Sequence, residues 1–158
     1  MKNIVVARVD DRLIHGEVVT AWAPSCNATR IVIVDELVEK DPFNKRIIKA
    51  LAPSGITVDV FSVEQGINDL KGNFDAGERI LILTKSPITF EALIDGGVGI
   101  KEVILGGMGL RGERKPFIKN VSCSPEEVDS IRNMINKGID VYYQLVPDQR
   151  SIDIKNLL

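Results

Sequence analysis

The chain has 158 residues, a length that fits a single domain able to bury a hydrophobic core without disulfides or metals. Hydrophobic residues make up 44%, charged residues 27%, and the formal net charge is −2, so no basic nucleic-acid-binding surface is predicted. Two cysteines without a CxxC spacing, and no apolar run near the ~18 residues of a membrane span, favour a cytoplasmic protein without a zinc site.

Six short apolar runs, each closed by a polar turn, are predicted as strands. They are Ile4–Val9, Arg30–Asp35, Thr57–Ser62, Arg79–Thr84, Glu102–Gly107 and Asp140–Leu145. Several of these runs are β-branched and apolar on both faces, which is typical of buried parallel strands. Lys115–Ser122 is a candidate for a short extra strand that could run antiparallel.

Helical patterns lie between the predicted strands and carry clear start and stop signals. Helices are expected at Glu17–Ala23, from Pro42 after the cap Asp41, at Val63–Leu70, from Pro87 to Gly96 and Gly97, and from Pro125 after the cap Ser124 to Gly138. The alternation predicts one α/β domain over residues 1–158. Its open, mainly parallel sheet has about six or seven strands, with helices on both faces. For the tail Val146–Leu158 the sequence does not decide between a short helix and an edge strand.

The only histidine, His15, follows the first predicted strand. Ligands of open α/β sheets bind beyond the carboxyl ends of the strands, so His15 is expected near the functional site. Gly16 allows a tight turn into the helix predicted from Glu17, whose first N–H groups carry the positive end of the helix dipole. Arg12 adds a cation suited to phosphate oxygens. These features make His15 a candidate phosphoryl acceptor, because a nucleophilic histidine can carry a covalent intermediate.

Less specific interpretations of this loop stay open. His15 can be a loop residue without a function, and Asp11 with Arg12 can form a surface ion pair that contributes little to stability. Asp10 and Asp11 together can hold a divalent cation, as similar pairs do in response-regulator receiver domains. Such a domain also needs an acceptor aspartate at the end of the third strand, where this chain has Ser62.

Two further loops follow the fourth and fifth predicted strands. In Thr84–Phe90, Ser86 can bind an anion together with the helix N–H groups behind it, or act only as an N-cap. In Leu105–Lys115, glycines can let a ligand approach the backbone. Their spacing matches neither the dinucleotide fingerprint nor the P-loop, so a flexible loop is the simpler interpretation. No cofactor and no metal are predicted.

The segment RVDDRLIHGEVVTAW, Arg8–Trp22, resembles the active-site segment of the B subunit (enzyme IIB) of the mannose/fructose/sorbose class of the bacterial phosphoenolpyruvate-dependent sugar phosphotransferase system. The family pattern is Arg-hydrophobic-Asp-x-Arg-Leu-Ile-His-Gly-Gln-Val. The phosphorylated histidine therefore falls on His15 and the motif arginine on Arg12. The resemblance continues through VDELVEKDPFNKRIIKALAP, TKSP, GGMG and KNVSCSPEEVDSIRNMINKGIDVYYQLVP, which together cover nearly the whole chain. Glu17 departs from the usual glutamine and is expected to face away from His15.

This resemblance implies a phosphoryl relay. An A subunit, charged from the phosphocarrier protein HPr, passes a phosphoryl group to Nδ1 of His15, and the B subunit donates it to a sugar held by the membrane subunits C and D. The implied activity is that of a protein-N(pi)-phosphohistidine–sugar phosphotransferase. The protein is expected in the cytoplasm, at the inner face of the cell membrane through its partner subunits.

The residues expected to serve this relay all come from two loops. His15 is the catalytic residue. Arg12, Gly16 and Ser86 are expected to bind the phosphoryl group, with Asp10 and Asp11 in supporting positions. A homodimer is possible, and the sugar stays open within the mannose, fructose, sorbose and amino-sugar class.

Overall fold

The computed structural model of the protein describes residues 3–16, 18–72 and 77–158. Within these ranges the chain forms the strands β1 (Ile4–Asp10), β2 (Arg30–Val34), β3 (Thr57–Phe61), β4 (Ile80–Thr84), β5 (Glu102–Gly107), β6 (Lys115–Ile118), β7 (Val121–Cys123), β8 (Asp140–Tyr143) and β9 (Ile152–Asp153). Seven of them form one sheet in the order β3-β2-β4-β1-β5-β8-β9. Its strands are parallel except β9, which runs antiparallel to β8.

The helical elements begin where the sequence supplies caps. A π-helical turn (Val18–Trp22) leads into α1 (Ala23–Ser25), followed by α2 (Glu36–Glu39), α3 (Pro42–Ala50), α4 (Val63–Leu70), α5 (Pro87–Asp95), α6 (Pro125–Asn136) and a 3₁₀ turn (Lys155–Leu157). Asp41 caps α3 and Ser86 caps α5, while Ser62 and Ser124 form capping boxes with Gln65 and Glu127. No helix in these ranges has the length and apolar character that crossing a bilayer requires.

The sheet is covered on both faces. Ile31 and Ile33 pack with side chains of α1, α2 and α3. The alternating residues Val32 and Val34 pack with side chains of α4, α5 and α6 on the opposite face. All four are fully buried, which explains the continuous apolar sequence of β2. The predicted fold class, a single α/β domain with a mainly parallel sheet between helices, is confirmed.

The connections place the carboxyl ends of β1, β4 and β5 beside one another. The chain leaves β1 over one face toward β2, whereas it leaves the adjacent β4 over the other face toward β5. This divergence opens the sheet beyond the ends of these three strands, which is where α/β proteins bind their ligands. We refer to this region as the carboxyl edge.

The first helix differs from its prediction at Glu17–Ala23. The structure has a π-helical turn over Val18–Trp22 and then the short α1, while Glu17 lies outside the described residues. Pro24 lies in the first turn of α1, where its missing N–H costs little. The indole Nε1 of Trp22 also donates to the carbonyl of Leu145 at 3.0 Å, which fixes this segment against the sheet.

Other local elements also differ from the sequence-based expectation. The segment predicted as one strand at 115–122 is an antiparallel pair, β6 and β7, joined at Lys119, which has a φ of 39°. The tail contains both of the alternatives considered, since β9 pairs with the edge of the sheet and a 3₁₀ turn follows. The one-turn helix α2 was not predicted; Asp35 caps it by accepting hydrogen bonds from two backbone N–H groups.

Candidate active site

The loop after β1 turns sharply at a residue that is not glycine. Leu13 has a left-handed backbone with φ 57°, and its N–H donates to the carbonyl of Asp10 at 2.9 Å. A left-handed conformation costs a leucine about 1–2 kcal/mol, and the burial of Leu13 beside Ile14 and Val18 offsets that cost. The left-handed residue of this loop is therefore Leu13 and not Gly16, while the predicted turn from Gly16 into Glu17 lies partly outside the described residues. Gly16 is exposed, has no positive φ, and has open space where a Cβ would lie.

Asp10, the last residue of β1, is completely buried, and Arg8, Arg12 and His15 surround its carboxylate. Its Oδ1 accepts from the backbone N–H and the Nε of Arg12 at 3.1 and 3.0 Å. Its Oδ2 accepts from Nη2 of Arg12 at 3.0 Å and lies 3.5 Å from Nη2 of Arg8. Burial raises the pKa of Asp10, but the hydrogen bonds from Arg12 and the charge of His15 outweigh it and lower the pKa below its usual value.

The imidazole of His15 is oriented by the same carboxylate. Its Nε2 lies 3.0 Å from Oδ2 of Asp10. An ionised carboxylate can only accept, so Nε2 carries the proton of this hydrogen bond. In the neutral ring Nδ1 then has the free electron pair. The side chain of His15 is 15% exposed.

Two glycines of β5 make room for this cluster. A Cβ on Gly106 would lie 2.1 Å from Cζ of Arg8, and one on Gly107 would lie 3.1 Å from Oδ1 of Asp10. The first distance is far below an ordinary contact, so the guanidinium of Arg8 can lie there only because residue 106 is glycine. The glycines of this segment therefore admit side chains from the neighbouring strand. Both glycines belong to a buried strand, which confirms the predicted strand Glu102–Gly107 and not the flexible loop predicted to begin at Leu105.

Asp11 belongs to a separate network. Its Oδ2 accepts from the backbone N–H of Gly109 at 2.7 Å and from Nη1 of Arg114 at 3.1 Å. Arg111 lies 3.5 Å from the same oxygen. The two adjacent aspartates thus diverge, and arginines neutralise each of them. In the part of the chain that the structure describes, no group of three or more His, Cys, Asp or Glu side chains is arranged to hold a metal. The receiver-type metal site is not supported.

Ser86 is also part of this second network. Its hydroxyl donates to Oε2 of Glu127 at 2.7 Å and accepts from the N–H of Ile88 at 3.3 Å. Arg114 binds Glu127 through two parallel hydrogen bonds of 2.8 and 3.0 Å. Burial raises the pKa of Glu127, but the hydrogen bonds from Arg114 and Ser86 outweigh it and lower the pKa. The structure therefore brings Asp10, Arg12 and His15 into direct contact and gives Ser86 other partners.

Sequence reasoning gave no site role to four side chains of these networks. Arg8 lay inside a predicted strand, Arg111 and Arg114 in a loop, and Glu127 was assigned only to a helix cap. One signal was available for Arg8, since a charged residue within the apolar run IVVARV needs a buried partner. The pairing of Arg114 with Glu127 joins loop and helix across the carboxyl edge and has no local sequence pattern.

The charges of the carboxyl edge differ in their exposure. The carboxylates of Asp10, Asp11 and Glu127 are at most 8% exposed. The side chains of Arg12 and Arg111 are 49% and 71% exposed. Both arginines line an open cleft of about 410 Å³ beside the backbone of Gly107, Met108 and Gly109. Among the described side chains of these networks, the two arginines are therefore the charges most accessible to solvent.

Comparison with known protein families agrees with this architecture. Residues 4–158 match the family model of the PTS system sorbose subfamily IIB component. The fructose-specific EIIB component of Bacillus subtilis (strain 168) is 31% identical over 158 residues, covering all of this chain and 97% of the relative. The mannose-specific EIIAB component of Escherichia coli (strain K12) is 32% identical over 98% of this chain. The chain spans 48% of the length of that relative.

Solved structures have the same fold. The IIBSor domain of the sorbose permease from Klebsiella pneumoniae superposes with a TM-score of 0.92 at 30% identity, covering 98% of this chain and 95% of that one. The structure of manxB from Thermoanaerobacter tengcongensis gives a TM-score of 0.88 at 35% identity, covering 99% and 95% of the two chains.

Fold and similarity together define a component of a sugar phosphotransferase system. Within that class, the chain belongs to the sorbose-subfamily IIB family, whose members include components named for mannose, fructose and sorbose. The resemblance carried by the segment around His15 is confirmed at the level of the family.

Proposed function

We propose that this chain is a phosphoryl carrier that accepts the group on Nδ1 of His15 and passes it to a sugar. The observation that carries the proposal is the hydrogen bond between Nε2 of His15 and buried Asp10. It leaves Nδ1 as the nucleophilic nitrogen and holds the ring at the carboxyl edge. Because the rotation of the ring is restrained, one nitrogen is presented to each partner in turn.

Asp10 also serves the chemistry of the transfer. The electron pair of Nδ1 attacks the phosphorus of the donor phosphohistidine, and the electrons of the broken P–N bond return to the donor ring. Positive charge then develops on His15, and the ionised carboxylate of Asp10 stabilises it at 3.0 Å. In the second step a sugar hydroxyl attacks the phosphorus, the new P–N bond breaks toward Nδ1, and the hydroxyl proton is lost to water.

Arg12 is the proposed phosphoryl-binding side chain. It is next to His15 through their common partner Asp10, and half of its side chain is exposed toward the cleft. A guanidinium offers paired donors that match phosphate oxygens. Gly16, which follows His15 and is exposed, leaves space for the phosphoryl group beside the loop.

The proposed partners follow from the family. The mannose-specific relative is named as an EIIAB component, and this chain matches about half of it. We propose that an A component donates the phosphoryl group and that membrane components C and D hold the sugar. This relay would place the chain in the cytoplasm, at the inner face of the membrane. The names of the relatives favour a sugar of the mannose, fructose, sorbose or N-acetylgalactosamine class.

Reconstitution of the relay tests the proposal. The chain is incubated with phosphoenolpyruvate, enzyme I, HPr and the A component, and the modified residue is mapped by mass spectrometry. The expected product has one phosphoryl group on His15, labile in acid and stable in alkali. Phosphate on an aspartate, released by hydroxylamine, would contradict the proposal and favour a receiver-type protein.

A further inference from the structure

Arg8 is the most deeply buried cation in the described part of the chain, and the phosphoryl relay does not by itself explain it. The whole residue is inaccessible to solvent. Its Nη1 donates to the carbonyl of Gln144 at 2.7 Å and its Nη2 to that of Leu145 at 3.0 Å. The guanidinium also lies 4.6 Å from the centroid of the Trp22 ring. Arg8 is therefore fixed from three sides.

The position of Arg8 relative to Asp10 is the informative feature. Asp10 is bound on its outer side by Arg12, which is half exposed, and approached on its inner side by Arg8 at 3.5 Å. A buried carboxylate that loses its only cation becomes very costly. With Arg8 in place, Asp10 keeps a cation even when Arg12 moves away.

We propose that Arg8 is a positioning residue for His15: it is the permanent countercharge of Asp10, and it allows Arg12 to leave that carboxylate for the incoming phosphoryl group. Arg12 thus exchanges one anion for another during the relay. Asp10 stays ionised and continues to hold Nε2 of His15. This inference rests on the proposed function, because it assigns a partner exchange to the phosphorylation of His15.

Gly106 provides a way to displace Arg8 without replacing it. A Cβ at this position would lie 2.1 Å from Cζ of Arg8, so Gly106→Ala must push the guanidinium away from its site. Arg8→Met removes the charge and Arg8→Lys keeps it without the planar fork. Val32→Ala serves as the control for a general loss of stability, because it creates a cavity at a buried position of β2 away from the contacts of Arg8.

Two measurements test the exchange of partners by Arg12. Both require that phosphorylation of His15 in the parent protein is verified first. If His15 is not phosphorylated, the proposed function itself is overturned. First, the NMR signal of the Arg12 Nε–H group is followed as His15 is phosphorylated. A shift of this signal is expected, and an unchanged signal would overturn the exchange. Second, transfer rates are measured for the variants, alone and combined with Arg12→Lys.

The pattern of rates separates positioning from structure. Folded Arg8→Met and Gly106→Ala should transfer at least tenfold more slowly than Val32→Ala, and adding Arg12→Lys should slow them less than twofold further. Arg12 is already retained by Asp10 in these variants, so its replacement has little left to remove. Rates equal to those of the control, or an undiminished effect of Arg12→Lys, would overturn the proposal. If Arg8→Met does not fold, Gly106→Ala, which displaces the same guanidinium, gives the same decision.

Discussion

Asp10 and Asp11 are neighbours in the sequence, yet they lie in two hydrogen-bond networks. The networks differ in which side-chain atoms remain accessible to a partner molecule. The carboxylate of Asp10 is bound by Arg12 and His15, both of which reach the surface. The carboxylate of Asp11 is bound by Gly109 and Arg114, and Arg114 is bound in turn by Glu127. Both networks pair buried acids with arginines at the same edge of the sheet.

The difference shows that a buried ion pair is not itself a functional site. In the Asp11 network the donors of Arg114 are used by two carboxylates and two carbonyls, those of Gly109 and Lys85. In the Asp10 network the histidine has a second nitrogen that Asp10 does not occupy. In the proposed function, reactivity comes from that nitrogen, while the acids and arginines hold it in place. The predictions below test this division.

The largest effect is expected for His15→Ala. The variant loses the nucleophilic nitrogen and should take up no phosphoryl group above background when incubated with the phosphorylated A component. Asp10 keeps its arginines, so the free energy of unfolding should change by less than about 1 kcal/mol. Radiolabelling and chemical denaturation measure the two quantities. Stoichiometric labelling of the variant would assign the acceptor to another residue.

Arg114→Met should have the largest effect on stability. It leaves Asp11 and Glu127 buried without their main cation, which costs about 3–5 kcal/mol in comparable buried pairs. Arg111→Met is the matched control, because Arg111 approaches the same oxygen of Asp11 but is 71% exposed; it should cost less than about 1 kcal/mol. Urea unfolding measures both. Equal stability of the two variants would contradict the structural role of the Asp11 network.

Arg12→Lys should act on the rate more than on stability. Lysine keeps the charge but cannot form two parallel bonds to phosphate oxygens. Transfer from the A component should slow at least tenfold, a loss of about 1.4 kcal/mol of transition-state stabilisation. Rapid-quench kinetics measure it. Transfer at the parent rate would reduce Arg12 to a structural partner of Asp10.

Ser86→Ala should have a smaller effect on the transfer rate. It should distinguish a role of Ser86 in capping α5 from a role in binding the phosphoryl group. The variant loses the cap of α5 and the hydrogen bond to Glu127, at a cost of about 1 kcal/mol. Transfer is expected to stay within about twofold of the parent, which is less than 1 kcal/mol. Ser62→Ala is the control, since Ser62 is the N-cap of α4 and has no contact with Glu127. A tenfold slower transfer in Ser86→Ala alone would support the phosphoryl-binding role that the sequence predicts.

The smallest effect is expected in the pH dependence of unfolding. The folded-state pKa of Glu127 is lowered, so its ionised form contributes fully above the usual glutamate value of about 4.3. That contribution is lost as the pH falls below this value through the folded-state pKa. In Glu127→Gln the acid loss of stability should be shallower than in the parent. The exposed Glu126→Gln should keep the parent slope, and equal slopes in both variants would contradict the assignment.

The sequence predicts local features well and distant contacts poorly. Caps such as Asp41 and Ser124, and the alternation of β-branched runs with helices, depend on neighbours in the chain, and the structure confirms them. The pairing of Arg114 with Glu127 and the space that Gly106 leaves for Arg8 depend on strand order. The left-handed Leu13 was not predictable from propensity, because burial of its side chain overrides a backbone preference.

The uneven exposure of charge at the carboxyl edge has a kinetic consequence. The chain is acidic overall, with a formal net charge of −2, yet Arg12 and Arg111 project from this edge while the carboxylates of Asp10, Asp11 and Glu127 are covered. Charges act over about 8 Å at physiological ionic strength, so an approaching protein responds to the nearest ones first. Diffusional encounter with an acidic partner should therefore be fast in dilute buffer and slow down as salt is added.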